Sequence, residues 1–340
     1  MRYSVIIPVY NRPDELAELL SSLADQSYTD FEIIVVDDGS TIPCANIADS
    51  YRNVMTISYL FKGNEGPGPS RNYGASLAKG EWLIFLDSDT IVPKGWLKAI
   101  DDYLWSCGSS VPAAFGGPDR ASADFTPIQK AISWSMTSFF TTGGIRGGKQ
   151  KITRFFPRSF NMGIRAGVFK EMGGFAPMRF GEDVDLSMRI VERGYSTALI
   201  QEAWLYHKRR TDFAKFFRQV YNSGRARVAL SRRHPGSLKL VHMAPVFFIF
   251  VSVLVLPFDI FYVLLVLLSA FFDELDSKGG SPVAKDTTST ARNLSDAYNV
   301  AVLSVAAAYV QLWGYGLGYL AASFDPSDPA ANIDNDKFYR

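Results

Sequence analysis

Four short apolar runs recur in the first 90 residues, each followed by polar positions. They are Val5-Ile6-Ile7-Pro8-Val9, Phe31-Glu32-Ile33-Ile34-Val35-Val36, a weaker run from Met55 to Leu60, and Trp82-Leu83-Ile84-Phe85-Leu86. Bulky runs of this length, bounded by Gly, Pro and Asp, predict strands buried on both faces. Between the first two, Leu16, Leu19, Leu20 and Leu23 recur at helical spacing behind Asn11-Arg12-Pro13-Asp14, which opens a helix with proline near its first turn. The Gly/Pro-rich loop from Gly63 to Pro69 leads to a second helix through Arg71, Asn72 and Ala78. Strands alternating with helices predict an α/β fold, a doubly wound, mostly parallel sheet with helices on both faces. Residues 117–158 carry many Gly, Ser and Thr around Trp134 and Phe139-Phe140, and read as a substrate-facing loop and helix region. Asn161 to Ile164 is a short strand. A helix runs from Val184 to Arg193, with Asp183 placed to cap it. A last strand is expected through Ala198 to Tyr206, ending at His207.

After His207 the pattern changes. Phe213, Phe216, Phe217, Val220 and Tyr221 form an apolar stripe at helical spacing, interleaved with Lys215 and Arg218. Residues 211–240 are therefore expected as a basic amphipathic segment in a membrane interface; the other reading is a soluble helix packed on the catalytic core. The apolar block Val241–Phe272 would run about 48 Å as one helix, against a hydrocarbon core of about 30 Å. Pro257 and Asp259 interrupt it, so an apolar hairpin over 241–272 is expected, crossing twice or entering and returning. Residues 298–324 are expected as a transmembrane helix. Within it, Gly314, Gly316 and Gly318 would permit close helix packing. A polar loop over 273–297 and an acidic tail over 325–340 complete the chain.

A length of 340 residues allows one large or two modest domains, and a formal charge of +1 gives no global electrostatic partner. The distribution is uneven. Lys208 to Lys239 holds ten basic residues and one acid, Asp212, directly before the apolar block. A basic segment abutting apolar spans is the positive-inside pattern, which argues against a nucleic-acid partner and for membrane lipids. Val5-Ile6-Ile7 is too short for a signal-peptide core and breaks at Pro8. Residues 1–210 are therefore expected in the cytoplasm, held at the inner membrane. Cys44 and Cys107 lack metal-ligand spacing and read as reduced packing residues.

Ligands of doubly wound sheets bind beyond the carboxyl ends of the strands. Those ends carry Tyr10-Asn11, Asp37-Asp38 and Asp87-Ser88-Asp89. Side chains alternate along a strand, so Asp87 and Asp89 can face one site. Two close carboxylates repel each other unless a cation lies between them. A divalent metal such as Mg²⁺ or Mn²⁺ suits oxygen ligands and brings phosphates with it.

Taken together, Val5 through Asn11, Val35 through Ser40, Gly66 through Asn72, Asp87-Ser88-Asp89 and Gly181-Glu182-Asp183 resemble the family 2 glycosyltransferases, inverting enzymes of the GT-A fold. The motifs come in the family's order and cover about 1–210. The resemblance implies a nucleotide-sugar donor, held by Pro8, Tyr10, Asn11, Asp38, Arg71 and Asp87. In that scheme Tyr10 stacks on the base, Asp38 accepts from a uracil N–H, and Arg71 reaches a phosphate. Asp37 would organise its turn or contact ribose. The metal would be held by Asp89, with Asp87 and His207. Asp183 would be the base that inversion requires, with Glu182 as its alternative or as an acceptor contact; Asp185 would be structural. The membrane-linked C-terminus resembles that of bacterial members of this family that work on envelope glycans or lipid-linked sugars, which implies such an acceptor. Gln219 and Arg225 do not make the Q-x-x-R-W motif of processive synthases, so transfer of a single sugar is expected. Two other readings stay open: a polyprenyl-phosphate sugar transferase, whose acceptor is already ionised, and a membrane-anchored sugar-nucleotide binding protein without turnover.

Overall fold

The computed structural model describes residues 1–122, 124–142, 155–277 and 287–325. They fall into two compact units, one of residues 1–120 and 155–208, the other of residues 121–142 and those from Arg209 onward.

The first unit carries ten strands: β1 (Tyr3–Val9), β2 (Phe31–Asp37), β3 (Ile57–Phe61), β4 (Trp82–Leu86), β5 (Thr90–Ile91), β6 (Ala114–Gly116), β7 (Asp119–Arg120), β8 (Asn161–Arg165), β9 (Thr197–Leu199) and β10 (Leu205–His207). Its helices are α1 (Pro13–Ala24), α2 (Ala45–Ser50), α3 (Pro67–Leu77) and α4 (Trp96–Ser106), then α7 (Ala166–Glu171) and α8 (Glu182–Glu192). The second unit supplies α5 (Pro127–Thr137), α6 (Phe139–Thr142), α9 (Phe213–Arg233), α10 (Ala244–Leu254), α11 (Leu256–Ser277) and α12 (Thr287–Ser323).

Seven strands form one sheet in the order β3-β2-β1-β4-β8-β6-β9, and β5-β10-β7 form a small second sheet. Strands β1 to β4 are mutually parallel, whereas β8 runs antiparallel to both β4 and β6. The apolar runs look continuous because both faces are covered. Val5, Ile7, Ile33, Val35, Ile84 and Leu86 pack against the α1 leucines and Trp96, Leu97 and Ile100 of α4. Their alternating neighbours Ile6, Ile34, Val36, Leu83 and Phe85 pack against Phe169 of α7 and Leu186 and Ile190 of α8. Among the described residues Cys44 and Cys107 are free thiols.

Two local expectations change. The single strand expected over Ala198–Tyr206 is two, because the chain turns at Ile200–Ala203 and passes from the large sheet (β9) to the small one (β10). That crossing brings the Ala203 carbonyl against Gly117, where a Cβ would sit 1.8 Å from it; only glycine fits. Helix α8 begins at Glu182, and its N-cap is Gly181 in the left-handed region at φ 79°. Asp183 thus lies inside the first turn and does not cap the helix.

In the second unit, residues 121–142 form α5 and α6 beside α9 and α12, although the sequence groups them with 1–210. Residues 143–154 of the expected substrate-facing region lie outside the described residues. The stripe on α9 is taken up by neighbouring helices: Phe216 and Val220 are buried with Ala131, Ile132 and Met136 of α5 and Ala307 of α12. Helices α9 and α12 touch through glycines. A Cβ at Gly224 would lie 2.1 Å from the Tyr315 carbonyl, and one at Gly318 2.0 Å from the Tyr221 carbonyl. The apolar block breaks at Val255 into α10 and α11. Asn293–Ser323 of α12 is the one helical stretch among the described residues long and apolar enough to cross a membrane, and 44% of its most apolar part is buried. Of the loop expected over 273–297, residues 273–277 instead end α11 and 287–297 begin α12; residues 278–286, and the expected tail beyond Asp325, lie outside the described residues.

Candidate active site

Leu86 ends β4, and the chain folds back at once: the Thr90 N–H and hydroxyl both donate to the Asp87 carbonyl, at 3.2 and 2.8 Å. This turn presents Asp87 and Asp89 and starts β5. Strand β10 pairs antiparallel with β5, setting His207 opposite Thr90, and the Lys208 N–H donates to the Asp89 carbonyl at 3.1 Å. That register puts the His207 Nε2 3.2 Å from Asp89 Oδ1. Ligand atoms of Asp87, Asp89 and His207 lie within 4.8 Å of one another. Two carboxylates and an imidazole are a donor set that would hold a divalent ion such as Mn²⁺. The imidazole stacks on Phe160, with ring centroids 5.1 Å apart, and its buried Nδ1 has no hydrogen-bond partner among the described residues.

Arg12, which sequence reasoning used only to open α1, donates from Nη1 to Asp89 Oδ2 at 2.7 Å. A cation on that oxygen offsets the carboxylate charge and competes for it with a metal. The one sequence signal for Arg12 is its place next to Tyr10-Asn11 at a strand end.

Arg71 is buried on α3 and bridges two carboxylates. Nη2 donates to Asp87 Oδ1 at 2.7 Å and Nη1 to Glu182 Oε1 at 2.8 Å, while the guanidinium sits over the Phe175 ring. Two partners offset the cost of burying its charge. The residue therefore ties the end of β4 to the start of α8.

Glu182 and Asp183 are both buried, yet their surroundings differ. Burial and the neighbouring Asp183 charge raise the Glu182 carboxyl to about 7, against the opposing pull of Arg71. Burial also pushes Asp183 upward, but Arg158, by charge and hydrogen bond, with Arg71 beyond it, outweighs this and holds Asp183 below the usual carboxylate range. Asp183 Oδ2 accepts from Arg158 Nε at 2.7 Å and from the Ser159 N–H at 3.3 Å, and Oδ1 accepts from the Val184 N–H at 2.8 Å. Arg158 is a second residue that sequence reasoning missed; nothing in its local pattern marks it. Asp185 pairs with Arg189 at 2.9 Å, one turn along α8.

The ends of β1 and β2 form an adjoining cradle. Pro8 and Tyr10 are half-buried there. Asn11, in the left-handed region at φ 51°, accepts through Oδ1 from the Thr41 N–H, the Thr41 hydroxyl and the Ile42 N–H at 2.8–3.0 Å. Asp37 accepts from the Ser40 N–H and the Tyr59 hydroxyl, which fixes the turn. Asp38 accepts four hydrogen bonds, from Lys62, the Glu65 and Gly66 N–H groups and the Ser70 hydroxyl. Those four match the capacity of a carboxylate. Asn11 and Asp38 thus shape the loops at 39–42 and 62–70. Among the remaining candidates, Arg71 bridges Asp87 and Glu182, Asp183 pairs with Arg158, and Asp89 is met by His207 and Arg12.

The model of the family described as "Glycosyl transferase family 2" matches residues 4–173, half of the chain. Among characterised proteins, the Staphylococcus aureus poly(ribitol-phosphate) beta-N-acetylglucosaminyltransferase TarS is 43% identical over 102 residues, 29% of this chain and 18% of that protein. The Bacillus spizizenii poly(ribitol-phosphate) beta-glucosyltransferase is 41% identical over 98 residues, 27% of this chain and 15% of that protein. The chain thus spans less than a fifth of the length of these relatives. Among solved structures, S. aureus TarS 1-349 in complex with UDP-GlcNAc aligns with a TM-score of 0.52 at 23% identity, covering 72% of this chain and 70% of that one. Pyrobaculum calidifontis mannosyltransferase PcManGT in complex with GDP-Man and Mn²⁺ aligns with a TM-score of 0.52 at 18% identity, covering 92% and 87%. At these identities the two structures speak for a shared fold.

Proposed function

Since the chain belongs to glycosyl transferase family 2, we propose that it moves a single sugar from a nucleotide-sugar donor to a hydroxyl of a lipid-linked or envelope-glycan acceptor at the cytoplasmic face of a membrane. One observation carries this reading: a cluster of candidate metal ligands and a polarised carboxylate pair meet at one sheet edge, joined through Arg71. In the reaction the acceptor oxygen bonds to the anomeric carbon, and the carbon–oxygen bond to the diphosphate breaks with inversion. Asp183, kept ionised by Arg158, takes the hydroxyl proton. Arg71 holds Glu182 and Asp87 on one guanidinium. Tyr10 offers a face to the donor base. Asp87, Asp89 and His207 would hold a divalent ion, which supplies neutralisation of the charge on the departing diphosphate.

The donor class, a nucleotide sugar, is supported by the relatives named for transfer of N-acetylglucosamine and glucose; a UDP-sugar is the donor that the family resemblance implies. Membrane attachment is supported by Asn293–Ser323 and by the exposed apolar side chains of α10 and α11, among them Phe247, Phe250, Phe261, Leu264 and Leu268.

The test uses the full-length chain in detergent with a panel of nucleotide sugars and a membrane-lipid extract. Nucleoside diphosphate should be released with at least one pair, chelator should abolish release, and Mn²⁺ or Mg²⁺ should restore it. Asp89→Ala should stay silent under all three conditions. Release that is undiminished in chelator, by wild type and Asp89→Ala alike, would overturn the metal assignment. Donor binding with no release for any acceptor would turn the reading to a binding protein.

A further inference from the structure

The second unit contains a buried cation that the transfer reaction does not use. Arg227 on α9 is 7% exposed. Its one hydrogen-bond partner among the described residues is the Ser237 hydroxyl, to which Nη2 donates at 2.5 Å, and its Nε is buried without a partner. Other cations of this unit find carboxylates: Lys130 pairs with Glu274 at 2.8 Å, and Arg225 lies 4.0 Å from Asp325. Arg227 has no carboxylate partner among the described residues. Burial pushes its pKa below the ordinary value, and only the Tyr315 and Tyr319 hydroxyls oppose that. An unpaired guanidinium in a desolvated setting is costly, and a chain that keeps one has a use for it or a partner it supplies later.

Two further basic groups meet at this corner between α9 and α10. The His242 Nδ1 accepts from the Lys239 N–H at 3.0 Å. Burial, then the charges of Arg227 and Lys239, push the His242 imidazole down to about 4, so its free nitrogen is neutral at ordinary pH. Phosphate oxygens match such a set of donors, and arginine binds them through its planar fork. The surface beside the corner is apolar. Leu238, Leu240 and Phe247 are exposed, and the exposed face continues along α10 through Phe250, Val253 and Leu254. A cationic corner at the head of an apolar face fits a molecule with an anionic head and hydrocarbon chains.

We propose that Arg227, Ser237, Lys239 and His242 bind the phosphate of an anionic lipid headgroup, whose chains lie along the exposed face of α10. The site lies wholly within the helical unit and does not depend on the glycosyl-transfer reading. Free phosphate has the same head chemistry, so the test separates the two sources.

The full-length chain in detergent is titrated with phosphatidic acid, phosphatidylcholine or inorganic phosphate, and bound lipid is counted by native mass spectrometry. Phosphatidic acid should be retained over phosphatidylcholine. Arg227→Gln should weaken that retention at least about tenfold, the loss expected for one charge-assisted hydrogen bond. Lys239→Gln should weaken it less. Equal retention by wild type and Arg227→Gln would overturn the site. Displacement of phosphatidic acid by equimolar inorganic phosphate would overturn the lipid assignment. A stability readout guards against a purely structural role. Without added lipid, Arg227→Met should melt at the wild-type temperature or above it, since an unpaired buried charge adds nothing to stability. A marked drop would make Arg227 a packing residue and end the proposal. Nucleoside diphosphate release is a separate measurement, so its outcome stands apart from all of these.

Discussion

Glu182 and Asp183 are adjacent on α8, and their partners divide them. Arg158 and two N–H groups keep Asp183 ionised, whereas burial beside that charge raises Glu182 to about 7. Asp183→Asn keeps the shape and removes the proposed base. It should retain donor binding and lose about 10²–10⁴-fold in turnover, checked by single-turnover assay beside donor titration; wild-type turnover at saturating substrate would end the assignment. Glu182 predicts a pH effect on stability. A carboxyl whose folded pKa is raised binds its proton more tightly when folded. Its stabilising contribution is therefore complete below the ordinary value of 4.5 and is lost as pH rises to about 7. Glu182→Gln lacks this slope. In chelator its melting temperature should gain on wild type across that window and run parallel above it, with a ceiling of about 1.4 kcal/mol per pH unit. A variant that instead loses ground as pH rises would show that Arg71 outweighs burial.

Elements were legible where one period ruled them. The doubly buried strands and the α1 leucines could be read directly, because each side chain's face follows from its own position. The stretch from Ala198 to Tyr206 was not, since an apolar run does not reveal a turn that moves the chain between two sheets. The stripe on α9 was legible as a stripe, but periodicity does not say whether helix or lipid covers it. The glycines were better guides. A methyl at Gly224 would meet the Tyr315 carbonyl at 2.1 Å, so Gly224→Ala must push α9 and α12 apart. Overpacking of this kind costs about 1–3 kcal/mol. The full chain should melt measurably lower in detergent, while Gly95→Ala, with nothing within 4 Å of the new methyl, should not. Equal melting of the two variants would mean that the helices part freely.

At the scale of the whole molecule, the expected outcome concerns attachment. A lone basic helix held at anionic lipid would leave the membrane in high salt, because screening acts within a Debye length. Inserted apolar helices would not. The full chain should stay in the membrane pellet after a high-salt wash and be released by detergent. Full-length protein in the salt-wash supernatant would make α10, α11 and α12 the core of a soluble helical unit. The basic segment Lys208–Lys239 and the apolar blocks set up this expectation, and the 44% burial of the most apolar part of α12 leaves much of it outside the unit's own packing.

The chain's order of runs and motifs was enough for the family and the sheet type, and it named Asp87, Asp89, Glu182, Asp183 and His207 as candidates. Those properties rest on local patterns, which a linear reading retains. The partners of these residues were decided only by the tertiary structure. Arg12 reaches Asp89 across 77 positions, and Arg71 reaches Glu182 across 111. His207 stands beside Asp89 because β10 pairs with β5 in one register. Arg158 meets Asp183 because the chain after residue 155 passes the first turn of α8. Strand order and register set such encounters, and no periodicity along the chain encodes which charge will neutralise which.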